Sequence, residues 1–158
     1  MIRMKEKNKN LERIFAVHYR TLYKTAAIIL CNEQDAYDAV QETFIKYLEC
    51  KKNFKDEEHE KAWLLRVTMN ICKNMMRFRR LHPTVEYREI ELSYNDDKDY
   101  ELMNVLFQMK QKMKEVLILR FIEGYSNGEI ATILGISENA VKKRIERAKK
   151  EFKRKYEK

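Results

Sequence analysis

A chain of 158 residues can hold one ordinary domain or two small ones, and its 44% hydrophobic content is enough to build a core for either. No run of about eighteen apolar residues occurs, and Met1-Ile2-Arg3-Met4-Lys5 leads into charged sequence rather than a signal peptide's apolar stretch, so the expectation is a cytoplasmic protein. The formal net charge of +8 points to a polyanionic partner only if the cations cluster, because a basic balance alone describes many solvated surfaces.

In chain order, Leu11, Ile14, Phe15, His18, Leu22, Ala26 and Ile29 recur at helical spacing, and Ala36, Val40, Phe44, Tyr47 and Leu48 repeat the pattern. A third stripe, Ala62, Leu65, Met69 and Cys72 with Trp63 and Met76 beside it, predicts a third helix and completes a bundle over roughly Leu11 to Leu81. That helix is basic: Arg66, Lys73, Arg77, Arg79 and Arg80 fall in a stretch with no acidic residue. From Pro83 to Glu101 the sign reverses, with seven acidic residues against two basic ones, and the one proline suggests a linker. Leu102, Val105, Leu106 and Met109, then Val116 to Ile122, open a second bundle. No strand pattern or internal repeat is present.

Residues that carry enzyme chemistry do not assemble. Cys31, Cys50 and Cys72 are odd in number and include no C-x-x-C, which disfavours a disulfide framework and a zinc site. His59-Glu60 begins like a zincin motif, but Trp63 stands where the second histidine belongs, and neither a nucleophile elbow nor a Walker loop occurs. No catalytic residue, metal site or cofactor is expected.

The stretch Gly124 to Lys150 carries the clearest local signals. Gly124 ends one helix in the left-handed manner, and Ser126-Asn127-Gly128-Glu129 has the spacing of a capping box. Ile130, Ala131, Ile133 and Leu134 form an apolar side that Gly135 interrupts, and Ser137 can cap the next helix. This is helix-turn-helix spacing. At about 100° per residue, Val141, Ile145, Ala148 and Phe152 make a seam within roughly 60°. Lys143, Glu146, Arg147 and Lys150 lie opposite, with Lys142, Arg144 and Lys149 on the flanks. Such a helix fits the DNA major groove, with Arg and Lys donating to guanine, Glu accepting from cytosine and flanking cations meeting phosphates. A charged, merely solvated helix is the competing reading, which the preceding helix and glycine turn disfavour.

The sequence resembles bacterial RNA polymerase sigma factors, specifically the small two-domain extracytoplasmic-function type of the sigma-70 family. The resemblance rests on Asp35-Ala36-Tyr37-Asp38-Ala39-Val40-Gln41-Glu42-Thr43-Phe44, Ala62-Trp63-Leu64-Leu65-Arg66-Val67 leading to Asn70 and the arginines, Lys114-Glu115-Val116-Leu117-Ile118-Leu119-Arg120, and Glu129 to Ser137 followed by Val141-Lys142-Lys143-Arg144. It implies an all-α chain of two small helical domains: region 2 over 1–82, a flexible acidic linker over 83–100, and a region 4 helix-turn-helix over 101–158.

The resemblance also implies roles. Asp38, Gln41 and Glu42 would face the clamp helices of the polymerase β′ subunit, and their spacing keeps them off the Ala36, Val40, Phe44 seam. The connection from Glu49 to Lys61 would help hold a base flipped from the non-template strand of the minus-ten element, with Phe54 as the matching aromatic. Phe54 reads equally well as a packed loop anchor, and Trp63 reads as core. Asn70, Asn74, Arg77, Arg79 and Arg80 would meet minus-ten DNA, where unpaired bases suit aromatic, amide and guanidinium groups. The linker would thread toward the polymerase active site and RNA exit channel. The second domain would hold the β flap and read the minus-thirty-five element with Lys142, Lys143, Arg144, Glu146, Arg147, Lys149 and Lys150. Gly128, where the family often has a larger residue, and Glu146 among the base-facing positions depart from the pattern. An anti-sigma factor is a further implied partner. The alternative is a stand-alone helix-turn-helix repressor or activator, which binds operator DNA by itself, usually as a symmetric dimer.

Overall fold

The computed structural model describes residues 2–81 and 97–157, and all regular structure among them is helical. The chain divides into two compact units, Met1–Arg88 and Glu89–Lys158. The division falls inside the expected acidic connector, of which residues 83–96 lie outside the described residues.

The first unit packs α1 (Ile2–Leu30), α2 (Glu33–Glu49) and α3 (Glu57–Leu81) against one another. The predicted stripes supply its core: Ile14, His18, Leu22, Ala26 and Ile29 from α1, Ala36, Val40 and Phe44 from α2, and Leu65, Met69 and Cys72 from α3 are buried. Two aromatic residues depart from expectation. Phe15 is 50% exposed and stacks along α1 on Tyr19, with ring centroids 4.7 Å apart, while touching Phe44 at 5.4 Å. Trp63, read as core, is only half-buried because it faces the loop after α2 instead of the α1–α2 interior.

Only Cys31 and Asn32 separate α1 from α2. The turn needs a left-handed residue, which Cys31 supplies at φ 51°, and Asn32 caps α2 by accepting the Asp35 N–H at 2.9 Å. α3 returns to the same corner. Arg79 donates to the Leu30 carbonyl at 3.1 Å, one of the acceptors a helix end leaves open, and forms an ion pair with Asp35. Inside the bundle the Thr43 and Thr68 hydroxyls meet at 2.9 Å, so the polar atoms of two buried side chains satisfy each other across the α2–α3 contact.

The second unit comprises α4 (Asp97–Phe107), α5 (Gln111–Leu117), α6 (Asn127–Leu134) and α7 (Glu138–Tyr156). α4 begins four residues before the expected start of the bundle, with Asp97 and Asp99 in its first turn, where the helix dipole favours carboxylates. α5 widens into a π-helical segment, Ile118–Ile122, closed by the Glu123 N–H on the Ile118 carbonyl at 2.9 Å. Val116, Ile118, Leu119, Tyr125, Ile130, Ile133, Val141, Ile145 and Ala148 form the core, and α7 packs on α4, α5 and α6.

Candidate nucleic-acid interface

The turn between α6 and α7 is built as its sequence predicts. The Ser126 hydroxyl accepts the Glu129 N–H at 3.2 Å while the Ser126 N–H donates back to the Glu129 carboxylate at 3.4 Å, completing a capping box. Gly135 stops α6 at φ 65°, a left-handed conformation that glycine adopts without the Cβ penalty. Ser137 then caps α7 by accepting the Ala140 N–H at 3.1 Å. These three devices fix where α7 begins, and therefore which of its faces is covered.

Val141, Ile145 and Ala148 are buried and Phe152 is half-buried, so the covered face of α7 is the predicted seam. Lys142, Lys143, Glu146, Arg147 and Lys150 are exposed, and Arg144 is half-buried at the border. Lys149 is exposed on the flank but directed inward along the surface, with its Nζ 5.3 Å from the centroid of the Phe121 ring. The exposed face thus combines four cations and one carboxylate on one helix.

On α3 the helical phase divides the predicted residues. Arg66, Asn70, Lys73, Asn74, Arg77 and Arg80 fall within an arc of about 120° and all are exposed. Arg66 and Lys73 were named only for their charge, yet they share this face. Arg79 falls on the opposite side, where its side chain is 12% exposed and engaged with Asp35 and Leu30. The structure therefore does not bring Arg79 together with the other cations of α3.

Asp38, Gln41 and Glu42 are exposed on α2, and Asp38 accepts a hydrogen bond from Gln34 at 3.0 Å. Tyr37 and Ile45, at one helical turn on either side of Gln41, are exposed too, which gives this face an apolar component that sequence reasoning missed. Both lie one residue beyond the buried positions Ala36 and Phe44, and that phase was the available signal.

The loop before α3 is shorter than expected, Cys50 to Asp56, because α3 starts at Glu57. Asp56 caps it by accepting the His59 N–H at 2.8 Å, and His59 Nδ1 accepts the Lys55 N–H at 3.1 Å. Phe54 is half-buried in an aromatic group: its ring stacks on Tyr47, with centroids 5.9 Å apart and planes 9° from parallel, and lies 5.5 Å from both His59 and Trp63. Phe54 is thus packed within this group while part of its surface stays accessible.

Glu60, one turn into α3, is buried and was not singled out by its sequence context. Its Oε2 accepts from Arg13 at 3.0 Å and from the Tyr47 hydroxyl at 2.9 Å, and its Oε1 faces His18 Nε2 at 3.5 Å. Burial pushes the Glu60 carboxyl up, but the hydrogen bonds from Arg13 and Tyr47 outweigh it and hold the carboxyl below its ordinary value. Burial, with the hydrogen bond to Glu60 behind it, pushes the Tyr47 hydroxyl up to about 12.

Among the described residues, no group of three or more His, Cys, Asp or Glu side chains could hold a metal ion, and no helix is long and apolar enough to cross a membrane.

Two family descriptions match the chain: Sigma-70 region 2 over residues 14–81 and Sigma-70, region 4 over residues 99–152. The RNA polymerase sigma factor SigV of Bacillus subtilis is 31% identical over 137 residues, covering 84% of this chain and 82% of SigV. Among solved structures, the sigma factor RpoE from Bartonella quintana, in complex with the anti-sigma factor NepR, superposes with a TM-score of 0.79 at 21% identity, over 94% of this chain and 98% of RpoE. CnrH in complex with the cytosolic domain of CnrY superposes with a TM-score of 0.67 at 26% identity, over 92% of this chain and 86% of CnrH.

Proposed function

The chain belongs to the extracytoplasmic-function branch of the sigma-70 family and is an alternative RNA polymerase sigma factor, and from that premise we propose how its two units divide promoter recognition. The first unit binds core polymerase through the Asp38, Gln41 and Glu42 face of α2, with Tyr37 and Ile45 adding apolar area. It engages the minus-ten element through Asn70, Asn74, Arg77 and Arg80 of α3, together with the loop carrying Phe54. The second unit holds the β flap and reads the minus-thirty-five element with α7. Arg79 is left out of the DNA-contacting set, since its guanidinium is committed to the α1–α2 corner.

The observation that carries this reading is the pairing, in one chain, of a helix-turn-helix whose exposed face bears Lys142, Lys143, Arg147 and Lys150 with a separate basic helical face on α3. An operator-binding repressor has no need of the second. Both faces suit phosphate and base contacts, as a transcription initiation factor working with polymerase in the cytoplasm requires. Anti-sigma proteins bind sigma factors of the same fold, as NepR binds RpoE, and such a partner is proposed for this chain.

Co-purification with core polymerase, followed by run-off transcription from a promoter library, tests the assignment. Each small unit offers few contacts, so the free chain binds promoter DNA poorly and gains specificity on the polymerase. Tight, sequence-specific binding by the isolated chain in gel shifts would instead establish the repressor.

The same holoenzyme separates the cations of α7. Arg147→Ala is expected to cost roughly 1–3 kcal/mol and relax preference at one or two positions of the upstream element. Lys149→Ala is expected to weaken binding alike for all sequences and lower the salt dependence by about one phosphate's share. A shift in preferred bases from Lys149→Ala, with uniform weakening from Arg147→Ala, would show that the groove-facing side is assigned wrongly.

A further inference from the structure

A carboxylate is an unexpected choice for the junction of α1, α2 and α3. Glu60 is 5% exposed, and removing a charge from water carries a penalty that its partners only partly return, so an apolar side chain of similar volume commonly serves stability as well or better. What a carboxylate adds is direction. Its Oε2 takes hydrogen bonds from Arg13 on α1 and from the Tyr47 hydroxyl on α2, at 3.0 and 2.9 Å, and its Oε1 faces His18 Nε2. A guanidinium on one helix thus holds a hydrogen-bond acceptor in place for a tyrosine on another.

Tyr47 passes that constraint outward. It lies in the last turn of α2, just before the loop, and its ring is the surface on which Phe54 stacks, with planes 9° from parallel. Trp63 closes the group edge-on to Tyr47 at 6.2 Å. A ring free to rotate about its χ angles would leave Phe54, and the backbone from Cys50 to Asp56, several arrangements to choose from. Tethering the Tyr47 hydroxyl selects one of them. Burial and the hydrogen bond to Glu60 both keep that hydroxyl protonated, so it remains a donor across the physiological range.

We propose that Glu60 is a positioning residue for capture of an unpaired promoter base: anchored by Arg13, it fixes Tyr47, and Tyr47 fixes Phe54 and the loop that carries it. The proposal rests on the reading of this loop as the base-holding element of the minus-ten contact. It concerns geometry prepared before DNA arrives, since loose placement of a recognition group is penalised when the ligand must order it.

The test uses polymerase holoenzyme reconstituted with wild type, Tyr47→Phe, Glu60→Leu, Glu60→Gln and Phe54→Ala. Each is scored on a promoter library randomised through the minus-ten element, with melting temperature and core-polymerase affinity measured alongside. Tyr47→Phe, which keeps the ring and loses only the hydroxyl, is expected to fold normally and to lower discrimination at one non-template position by roughly three- to tenfold, the ratio matching one hydrogen bond of ordinary net strength. Glu60→Leu is expected to lose discrimination at the same position. Glu60→Gln, which keeps an acceptor for Tyr47, retains most of it, and templates already unpaired through the minus-ten element narrow the differences. The proposal is overturned if Phe54→Ala changes selection at a single position while Tyr47→Phe and Glu60→Leu leave it as in wild type. If Phe54→Ala changes no position, the base-holding reading of the loop fails and the anchor fails with it.

Discussion

In the helix-turn-helix of the second unit, the caps that set the helix starts close over three residues: Ser126 with Glu129, and Ser137 with Ala140. The first unit has local caps of the same kind at Asn32 and Asp56, and adds contacts that reach across the chain, Arg13 to Glu60 over 47 positions and Arg79 to Leu30 over 49. A local cap biases one helix end and can be lost with little consequence elsewhere. A contact between distant helices exists only when all of them are in place, so its loss is felt by the whole bundle. The helix proposed to read duplex DNA is therefore placed by independent local parts. The unit expected to grip both polymerase and unpaired DNA depends on mutual constraint among three.

Arg79→Ala should break the comparison most visibly. It leaves the Leu30 carbonyl and a largely covered Asp35 without their partner, for a cost of about 2–3 kcal/mol in urea unfolding followed by signals from the first unit. Minus-ten preference should be unchanged among molecules that remain folded. A stability change below about 0.5 kcal/mol, the range of an ordinary surface substitution, would return Arg79 to the DNA-facing set.

Acid and alkali should act on the same unit through Glu60 and Tyr47. The Glu60 carboxyl is held lower in the folded chain than in the unfolded one, so its contribution is present above the ordinary carboxylate range and is lost as pH falls through the depressed value. Tyr47 has the opposite sign. Its hydroxyl is raised from 10.0 to about 12, so its contribution is complete below 10.0 and is lost as pH climbs toward 12. Denaturation profiles of wild type and Tyr47→Phe should diverge on the alkaline limb, and coincident profiles there would remove Tyr47 from the network.

Local devices in the second unit should give smaller effects confined to that unit. Ser137→Ala removes the α7 cap and should cost about 1 kcal/mol, with melting of the first unit unaltered. Gly128→Ala should be the mildest and opposite in sign. An added Cβ would meet only Glu138 Oε2 at 3.9 Å, an ordinary contact, so the substitution should stabilise by about 0.4–1 kcal/mol through the unfolded chain. A loss of stability instead would mean that the first turn of α6 has a tighter requirement than its geometry shows.

What could be read in advance follows the same line. The Ser126 box, the Gly135 stop and the Ser137 cap are spelled out by neighbouring residues, and the buried stripes of α1, α2 and α3 repeat often enough to reveal their phase. Glu60 was hidden because it stands among Glu57, Glu58, His59 and Lys61 and looks like part of a solvated first turn. Its partners are far away in sequence, yet its phase was available: Glu60, Leu64, Thr68 and Ile71 share one buried face. Arg79 carried the same mark, seven residues beyond buried Cys72, whereas Arg77 and Arg80 are out of phase with it. Charge composition grouped the arginines together, and helix geometry separates them. The widening of α5 into a π turn had no comparable signal among its apolar residues.

The bond from the Lys55 N–H to His59 Nδ1 also decides a tautomer. A nitrogen that accepts must offer its lone pair, so while this bond is made a ring proton is carried by Nε2. At the edge of the Phe54 stack, the first turn of α3 thus holds the loop backbone at Lys55 through a ring that packs edge-on to Phe54.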